Sequence, residues 1–580
     1  MKLNYLFYLF LLVTCMSSCS QQGFLDETET TDLDESTVFA DSTYTTAFLS
    51  DIYNQVGFSS NPGRFSLGFT NHGGLQTSTD EAEPRITSDI TTDIQFITGT
   101  INPVIVTDDA WRICYSNIRK VNQLLIHLPD TPLTNGRKQR YEGEARFLRA
   151  WYYAILLKHY GGVPLVGDAV FTADDEIPMT RDSYADCVDY IIAECNAAAQ
   201  LLPTEPGGRD FGRAGAGACM ALKSRVLLFA ASALYNGNDY AEPYSTLLGY
   251  PDYDLNRWKD AMDAAQAVIG LGNYSLYVDN DEEVGRGFYR IWVANDFIND
   301  GAYSGHIFVQ KADFGTPGRA GLFNPPSRGG CGGGYPYQEL IDAFPMSNGK
   351  AIDEPDSGYD PQDPYANRDS RLYNSIVFDQ VPLQNGFDPE VPVDIYLGNY
   401  DGVLAGQDAV HSGTPTGYYI RKMMHRVAAA NYFVATDQSR PLIRYAEILL
   451  NFAEAKNEFE GPTTEVYAAV EAIRQRAGLS PYELPGGLDK DQMREVIRNE
   501  RRIELAFEGF RFWDVRRWEI AEETESRTMT GMEVIRDGSS VEYNRFDVRK
   551  HVFRPAAYFW PLPYDETAKS ADLIQNPLYD

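Results

Sequence analysis

Apolar residues recur at helical spacing in several paired segments of this chain, and long stretches without that period separate the pairs. Residues 39–56 gather Ala47, Phe48, Ile52 and Tyr53 on one stripe. Residues 110–128 and 141–160 are strongly periodic. Ala145, Leu148, Tyr152, Ile155 and Leu156 form the buried stripe of the second, and Gly161, Gly162 and Pro164 stop it. A further pair occupies 184–202 and 214–235, a third pattern runs over 258–271, and 441–458 pairs with 464–477. Ala218, Ala221, Ala230 and Ala231 are small enough for close helix approach, as stacked repeats require. The pattern predicts a mainly α chain whose helical-repeat scaffold lies in residues 105–275 and 440–520, although no strict 34-residue period is present.

Residues 497–518 have the strongest pattern. Ile503, Ala506, Phe507, Phe510 and Trp513 fall on one helical stripe, which predicts a single amphipathic helix packed on a core. The other face carries Arg498, Arg501, Arg502, Arg511, Arg516 and Arg517 against Glu500, Glu504, Glu508 and Asp514. Three pairs, Arg501 with Glu504, Glu508 with Arg511 and Asp514 with Arg517, are spaced to neutralise one another along the helix. The interleaved acids argue for a structural ion-pair network holding the helical half against the rest, and against a nucleic-acid surface.

Two intervals have another texture. Residues 57–103 are rich in Gly, Ser, Thr and Asn, and residues 279–438 are crowded with Gly, Pro, Asn, Asp and aromatics. Short strands are predicted at 306–311, 374–378 and 393–397. Such irregular segments, carried by a rigid frame, are where recognition residues concentrate.

Composition narrows the partners. A formal charge of -32 repels nucleic acid, whose binding is dominated by phosphate neutralisation. Residues 1–18 read as a secretory leader: Lys2, an apolar run over 5–13, then small residues up to Cys19. The leader is too short to span a bilayer stably. Met16-Ser-Ser-Cys19 is similar to the lipobox of bacterial lipoproteins, in which the cysteine becomes the lipidated first residue, palmitate included. Residues 19–36, polar and acidic, then form a tether, and 37–580 one folded unit. The remaining Cys114, Cys187, Cys195, Cys219 and Cys331 are odd in number and lack metal spacing, so they read as buried free thiols.

Catalytic and metal motifs are weak. The seven histidines show no zinc-protease spacing, and Gly329-Gly-Cys-Gly-Gly-Gly334 lacks the lysine of a phosphate loop. Asp353, Asp356, Asp360 and Asp363 offer clustered oxygens for calcium but not the EF-hand pattern, so a solvated loop is the simpler reading. No cofactor is expected. Carboxylate pairs are too abundant for spacing to diagnose a glycosidase, the alternative from another functional class.

Several motifs in order carry a family resemblance. They are Glu142-Gly-Glu-Ala-Arg-Phe-Leu-Arg-Ala-Trp-Tyr-Tyr with Tyr160-Gly-Gly-Val-Pro-Leu165, Arg444-Tyr-Ala-Glu-Ile-Leu-Leu-Asn-Phe-Ala-Glu-Ala455, and Ala472-Ile-Arg-Gln-Arg-Ala-Gly-Leu479. The stretch 497–518, Phe24-Leu-Asp26, Tyr558-Phe-Trp-Pro-Leu-Pro563 and Gln575-Asn-Pro-Leu-Tyr579 join them. Together they resemble the SusD/RagB family of Bacteroidetes outer-membrane lipoproteins. The resemblance implies about four tetratricopeptide-like helix pairs supporting an irregular, loop- and short-strand-rich ligand-binding half. It also implies a non-catalytic, surface-exposed lipoprotein that binds glycans, or in some branches peptides, and caps a SusC-like TonB-dependent transporter. The motifs fall mostly on the scaffold, so the ligand residues must be chosen on physical grounds. Sugars offer apolar C–H faces to aromatic rings and hydroxyls to planar polar groups. Tyr289, Arg290, Trp292, Asn295, Asp296 and Phe297 combine both kinds, as do Phe69, Asn71 and His72, and Phe314, Arg319 and Phe323. Trp292 heads this set.

Overall fold

The computed structural model describes residues 34–65, 73–85, 91–107, 110–172, 174–293, 301–311, 322–330, 333–385, 388–424 and 440–579. The expected lipidation site Cys19, and Cys331, lie outside them. The scaffold helices are α1 (Glu35–Ala40), α2 (Ser42–Tyr53), α3 (Ala110–His127), α4 (Asn135–Tyr160), α5 (Tyr184–Leu201), α6 (Ala216–Ala231) and α7 (Asn256–Gly270). After the irregular interval come α8 (Arg286–Val293), α9 (Tyr445–Glu460), α10 (Thr464–Arg476), α11 (Lys490–Glu504) and α12 (Arg511–Arg517). Each scaffold helix packs on the next: α2 on α3, α3 on α4, and so on to α6 on α7. This is the tetratricopeptide-like stacking of helical repeats. The step α7 to α9 spans the whole interval 271–444, and α9 also carries α10 and α11. The isolated period at 258–271 therefore has its partner after the insertion. Thr134 caps α4 by accepting from the Arg137 N–H, and Gly161, at φ +79°, ends it.

Strands are few and short apart from one hairpin. β1 (His306–Gln310) pairs antiparallel with β4 (Arg440–Arg444), close to the prediction for 306–311. The strand predicted at 374–378 shrinks to Ile376–Val377 beside Tyr419–Ile420. The one predicted at 393–397 is displaced, because Val393, Ile395 and Tyr396 are buried in a connection that runs into β2 (Leu397–Tyr400). β2 pairs with β3 (Val403–Leu404) and, in parallel, with β5 (Thr528–Asp537), which forms a long antiparallel hairpin with β6 (Ser540–Lys550). Sequence reading missed this hairpin, although Met529, Met532 and Val534 are buried at near-alternating positions and Asp537-Gly538 marks its turn.

The stretch 497–518 departs from expectation in two ways. First, it is not one helix. α11 stops at Glu504 and α12 begins at Arg511, with Phe507 at φ +63° and Gly509 at φ +81° between them. Side-chain cations occupy backbone carbonyls at the break. Lys422 Nζ donates to the Glu504 and Ala506 carbonyls at 2.9 Å each, and Arg444 donates to the Glu504 carbonyl at 2.8 Å. A continuous helix would have needed those acceptors. The Phe507 N–H in turn donates to the buried Glu81 carboxyl, which burial pushes up to about 8.

Second, the charged face is buried, and two of the three anticipated pairs are absent. Asp514 does bind Arg517, at 2.8 Å. Glu504, fully buried, instead takes Arg371, Arg444 and Arg476, and Arg371 also holds Asp369 and Glu500. Glu508 pairs with Lys422 and Arg444, while Arg511 and Arg502 each reach Asp80 at 2.8 Å. Arg501 and Arg517 share Asp514 and Glu454. Burial alone would raise the Glu504 carboxyl, but Arg476, Arg444 and Arg371 override it and hold it well below the usual range.

The chain's two signature motifs meet in space. Arg181 donates to the carbonyls of Tyr160 and Gly162 and to Ile574 and Asn576 of the carboxy-terminal segment. Trp560, fully buried, packs against Phe96, Phe512 and His159. Cys114, Cys187, Cys195 and Cys219 are buried free thiols.

Asp514→Ala leaves Arg501 and Arg517 buried with one carboxylate between them. We predict a loss of about 3–5 kcal/mol in stability by calorimetry or denaturant unfolding, with ligand specificity intact. An unchanged unfolding midpoint would contradict the network.

Candidate functional site

The described residues that border the sequence-chosen segments are tied together. Phe65 and Gly73 bracket residues 66–72, and the Phe65 N–H donates to the Gly73 carbonyl at 2.8 Å. Gln310 precedes residues 312–321 and Arg440 follows residues 425–439. They face each other in the β1–β4 pair, and the Arg440 guanidinium bonds the Gln310 amide at 2.7 Å. Arg440 also donates to the Gly57 and Ser60 carbonyls, and Gln310 to Asn54, so the segment leading to Phe65 joins the same knot. Val293, before residues 294–300, packs in one cluster with Met423. Phe323 and Met424 share another. Residues distant in sequence are thus joined by one guanidinium and by two apolar clusters.

Of the sequence-chosen residues, Phe69, Asn71, His72, Asn295, Asp296, Phe297, Phe314 and Arg319 lie outside the described residues. Trp292, Tyr289, Arg290 and Phe323 lie inside, and only two of these reach solvent. Trp292 is 3% exposed and Phe323 2%. Trp292 belongs to the core for a physical reason: its ring covers the buried cations, with Lys422 Nζ 5.0 Å and the Arg444 guanidinium 5.5 Å from it. Phe288, on the same helix, covers Lys422 and Arg476 at 5.0 Å each. The stripe that looked like a sugar platform is the apolar lid of the charge network. In this conformation it offers no open face to a ring.

Arg290 and Tyr289 are partly exposed. Arg290 donates to the Tyr277 hydroxyl at 2.8 Å and lies over its ring at 5.4 Å, with the Asp279 carboxylate 3.5 Å away. Arg286 approaches the same carboxylate at 3.4 Å. A ring, a carboxylate and two guanidiniums are therefore held together, each partly exposed. This set can stack on a sugar face and bond its hydroxyls. Sequence reading missed Tyr277, Asp279 and Arg286. The usable signal was that Arg286 and Arg290 are one helical turn apart, on a helix that packs back over the Tyr277–Asp279 loop.

A cleft of about 370 Å³ between α7, α9 and α11 also joins aromatic and charged groups, among them Tyr253, Trp518, Arg494 and Arg498. Its charges pair with one another, Arg494 with Glu458 and Asp491 and Arg498 with Glu495, as those of the Tyr277 set also do. Asp353, Asp356, Asp360 and Asp363 are all exposed. They do not converge: among the described residues no group of three or more His, Cys, Asp or Glu is placed to hold a metal ion.

Comparison with known proteins decides the family. A model described as the SusD family matches residues 290–579, half of the chain. The chain belongs to the SusD family. A second model, described as starch-binding associating with outer membrane, matches residues 24–228. SusD-like protein P2 of Formosa agariphila is 33% identical over 139 residues, 23% of this chain and 24% of that relative, so the match spans about a quarter of the relative's length. The crystal structure of a SusD-like protein from Bacteroides fragilis superposes with TM-score 0.75 at 29% identity, covering 94% of this chain and 99% of the other. The structure of a SusD-like carbohydrate-binding protein from the same species gives TM-score 0.73 at 23% identity over 93% and 100%. The motifs that carried the resemblance fall within the two matched spans, and the tetratricopeptide-like fold is shared.

Trp292→Ala in this SusD-family protein should act first on stability. Removing a buried indole costs about 3–5 kcal/mol. Thermal unfolding checks this, and a variant as stable as the wild type would make Trp292 a candidate ligand residue again.

Proposed function

We propose that this protein captures glycan at the cell surface and delivers it to a SusC-like TonB-dependent transporter in the outer membrane. Membership of the SusD family carries the reading, and the outer-membrane association in the description of the second matching model agrees with it. Carbohydrate binding, named for the second B. fragilis relative, is extended to this chain on the same ground. No catalytic step is assigned. Capture needs a surface that holds sugar without transforming it, and the Tyr277, Asp279, Arg286 and Arg290 set, with Tyr289 beside it, has that chemistry.

In this reading, acylation of Cys19 anchors the chain and the residues between it and α1, which begins at Glu35, act as its leash. A tethered binder meets its transporter at a high effective concentration, so modest affinity for each sugar unit is sufficient. The two apolar clusters and the Arg440 knot then fix the roots of the ligand-binding segments, which limits the ordering cost of capture.

The test uses protein lacking residues 1–19 and a panel of neutral and acidic oligosaccharides with peptides as comparison. A glycan is expected to bind, and Arg290→Ala to weaken it about tenfold or more, the cost of a lost charged hydrogen bond, with little change in the unfolding temperature. Binding of peptides alone, or full affinity in the variant, would count against the reading or the site.

A further inference from the structure

We propose that a second cavity, where α4, α6 and α12 meet, is a carboxylate-binding site that accepts a small organic acid or the carboxylate of a uronic acid. The cavity has a volume of about 60 Å³ and is walled by Trp151, Lys158, Arg225, Phe229, Phe510 and Trp513. That space suits a carboxylate head group and not a whole sugar ring, so a uronic acid would enter by its charged end only.

Two lining groups lack partners. The Lys158 ammonium lies over the Trp513 ring at 4.8 Å, and among the described residues it meets no hydrogen-bond acceptor and no carboxylate in ion-pair range. The Trp513 indole N–H is buried with no acceptor. The other charges facing the cavity are already engaged. Arg225 holds Glu447 at 2.7 Å and the Leu442 carbonyl. Glu508, the acid in the lining, is held by Lys422 and Arg444. Arg64, nearby, donates to the Ser59 carbonyl and contacts His159.

Burial, reinforced by Arg225 and Arg64, pulls the Lys158 amine well below its usual pKa. An ammonium held against aromatic rings with no carboxylate beside it is destabilised, and a bound anion stabilises it. The chemistry selects a carboxylate because the site offers two unpartnered donors, an ammonium and an indole N–H, for its two oxygens. Tetrahedral oxyanions need more donors than these. The aromatic walls suit the carbon attached to the carboxylate. This goes beyond glycan capture, since acetate alone should occupy the site.

The experiment is calorimetric titration of protein lacking residues 1–19 with sodium acetate, sodium glucuronate and glucose at constant ionic strength. Acetate or glucuronate should bind one to one and glucose should not compete. Acetate with glucuronate marks a general carboxylate site, acetate alone a site for free acids, and glucuronate alone a site for uronic acids. Lys158→Met and Lys158→Gln should each weaken binding about tenfold or more. The wild type gives a check that needs no variant: affinity should fall as pH rises and the ammonium is lost, and, because the free amine's pKa is lowered, binding should take up a proton. No binding of either carboxylate, equal affinity in the folded variants, or a pH-independent affinity would overturn the proposal. None of these results depends on whether the protein binds an oligosaccharide elsewhere.

Discussion

A single fully buried carboxylate, that of Glu504, receives guanidinium groups from three parts of the chain: Arg371 from the irregular half, Arg444 from the strand that re-enters the scaffold, and Arg476 from the end of α10. Removing such charges from water costs several kcal/mol per ion before any attraction is counted, so the net contribution of the assembled group to stability is modest. Its directional effect is large. Each arginine has a fixed fork of donors, and the loss of any one partner leaves a buried charge exposed to the full penalty. The network therefore fixes where the irregular half sits more than how tightly the whole chain folds.

The same constraint explains features that look unrelated. The cations that pair with Glu504 and Glu508 also take the carbonyls at the end of α11, where the helix breaks and Phe507 sits in the left-handed region at a cost of roughly 1–3 kcal/mol. α8 lays Phe288 and Trp292 over those cations, and its partly exposed side presents Arg290 beside Tyr277 and Asp279. Position of the candidate sugar contacts and burial of the charges are thus two consequences of one helix. A second buried acid, Asp80 with Arg502 and Arg511, ties the segment before residues 91–107 to α11 and α12.

The periodic helices were legible because their apolar stripes face one another within the scaffold, and the family motifs lie on those stripes and on the end segment bound by Arg181. The roles of charged and aromatic residues were not. Arg501 and Glu504 have ideal spacing for a surface pair, yet both are buried with partners far away in sequence, which no local pattern records. Trp292 has the composition expected of a sugar platform, and only the position of Lys422 shows it to be a lid. The β5–β6 hairpin escaped because the apolar positions of its outer strand, Val541, Tyr543, Phe546 and Val548, alternate with polar ones but are only partly buried, which makes a weaker signal than the helical stripes. Conversely, Tyr277 and Asp279 became candidates only when the fold set α8 against their loop.

Arg371, by binding Glu504 and Glu500, docks residues 333–385 on the helical stack beside the contact that Lys422 makes with Glu508. Hydrogen exchange followed by mass spectrometry on Arg371→Met tests it most directly. Amides in residues 333–385 are predicted to lose protection first and most, while α3 to α6 keep theirs. Uniform loss across the chain, or no change in residues 333–385, would contradict this role for Arg371.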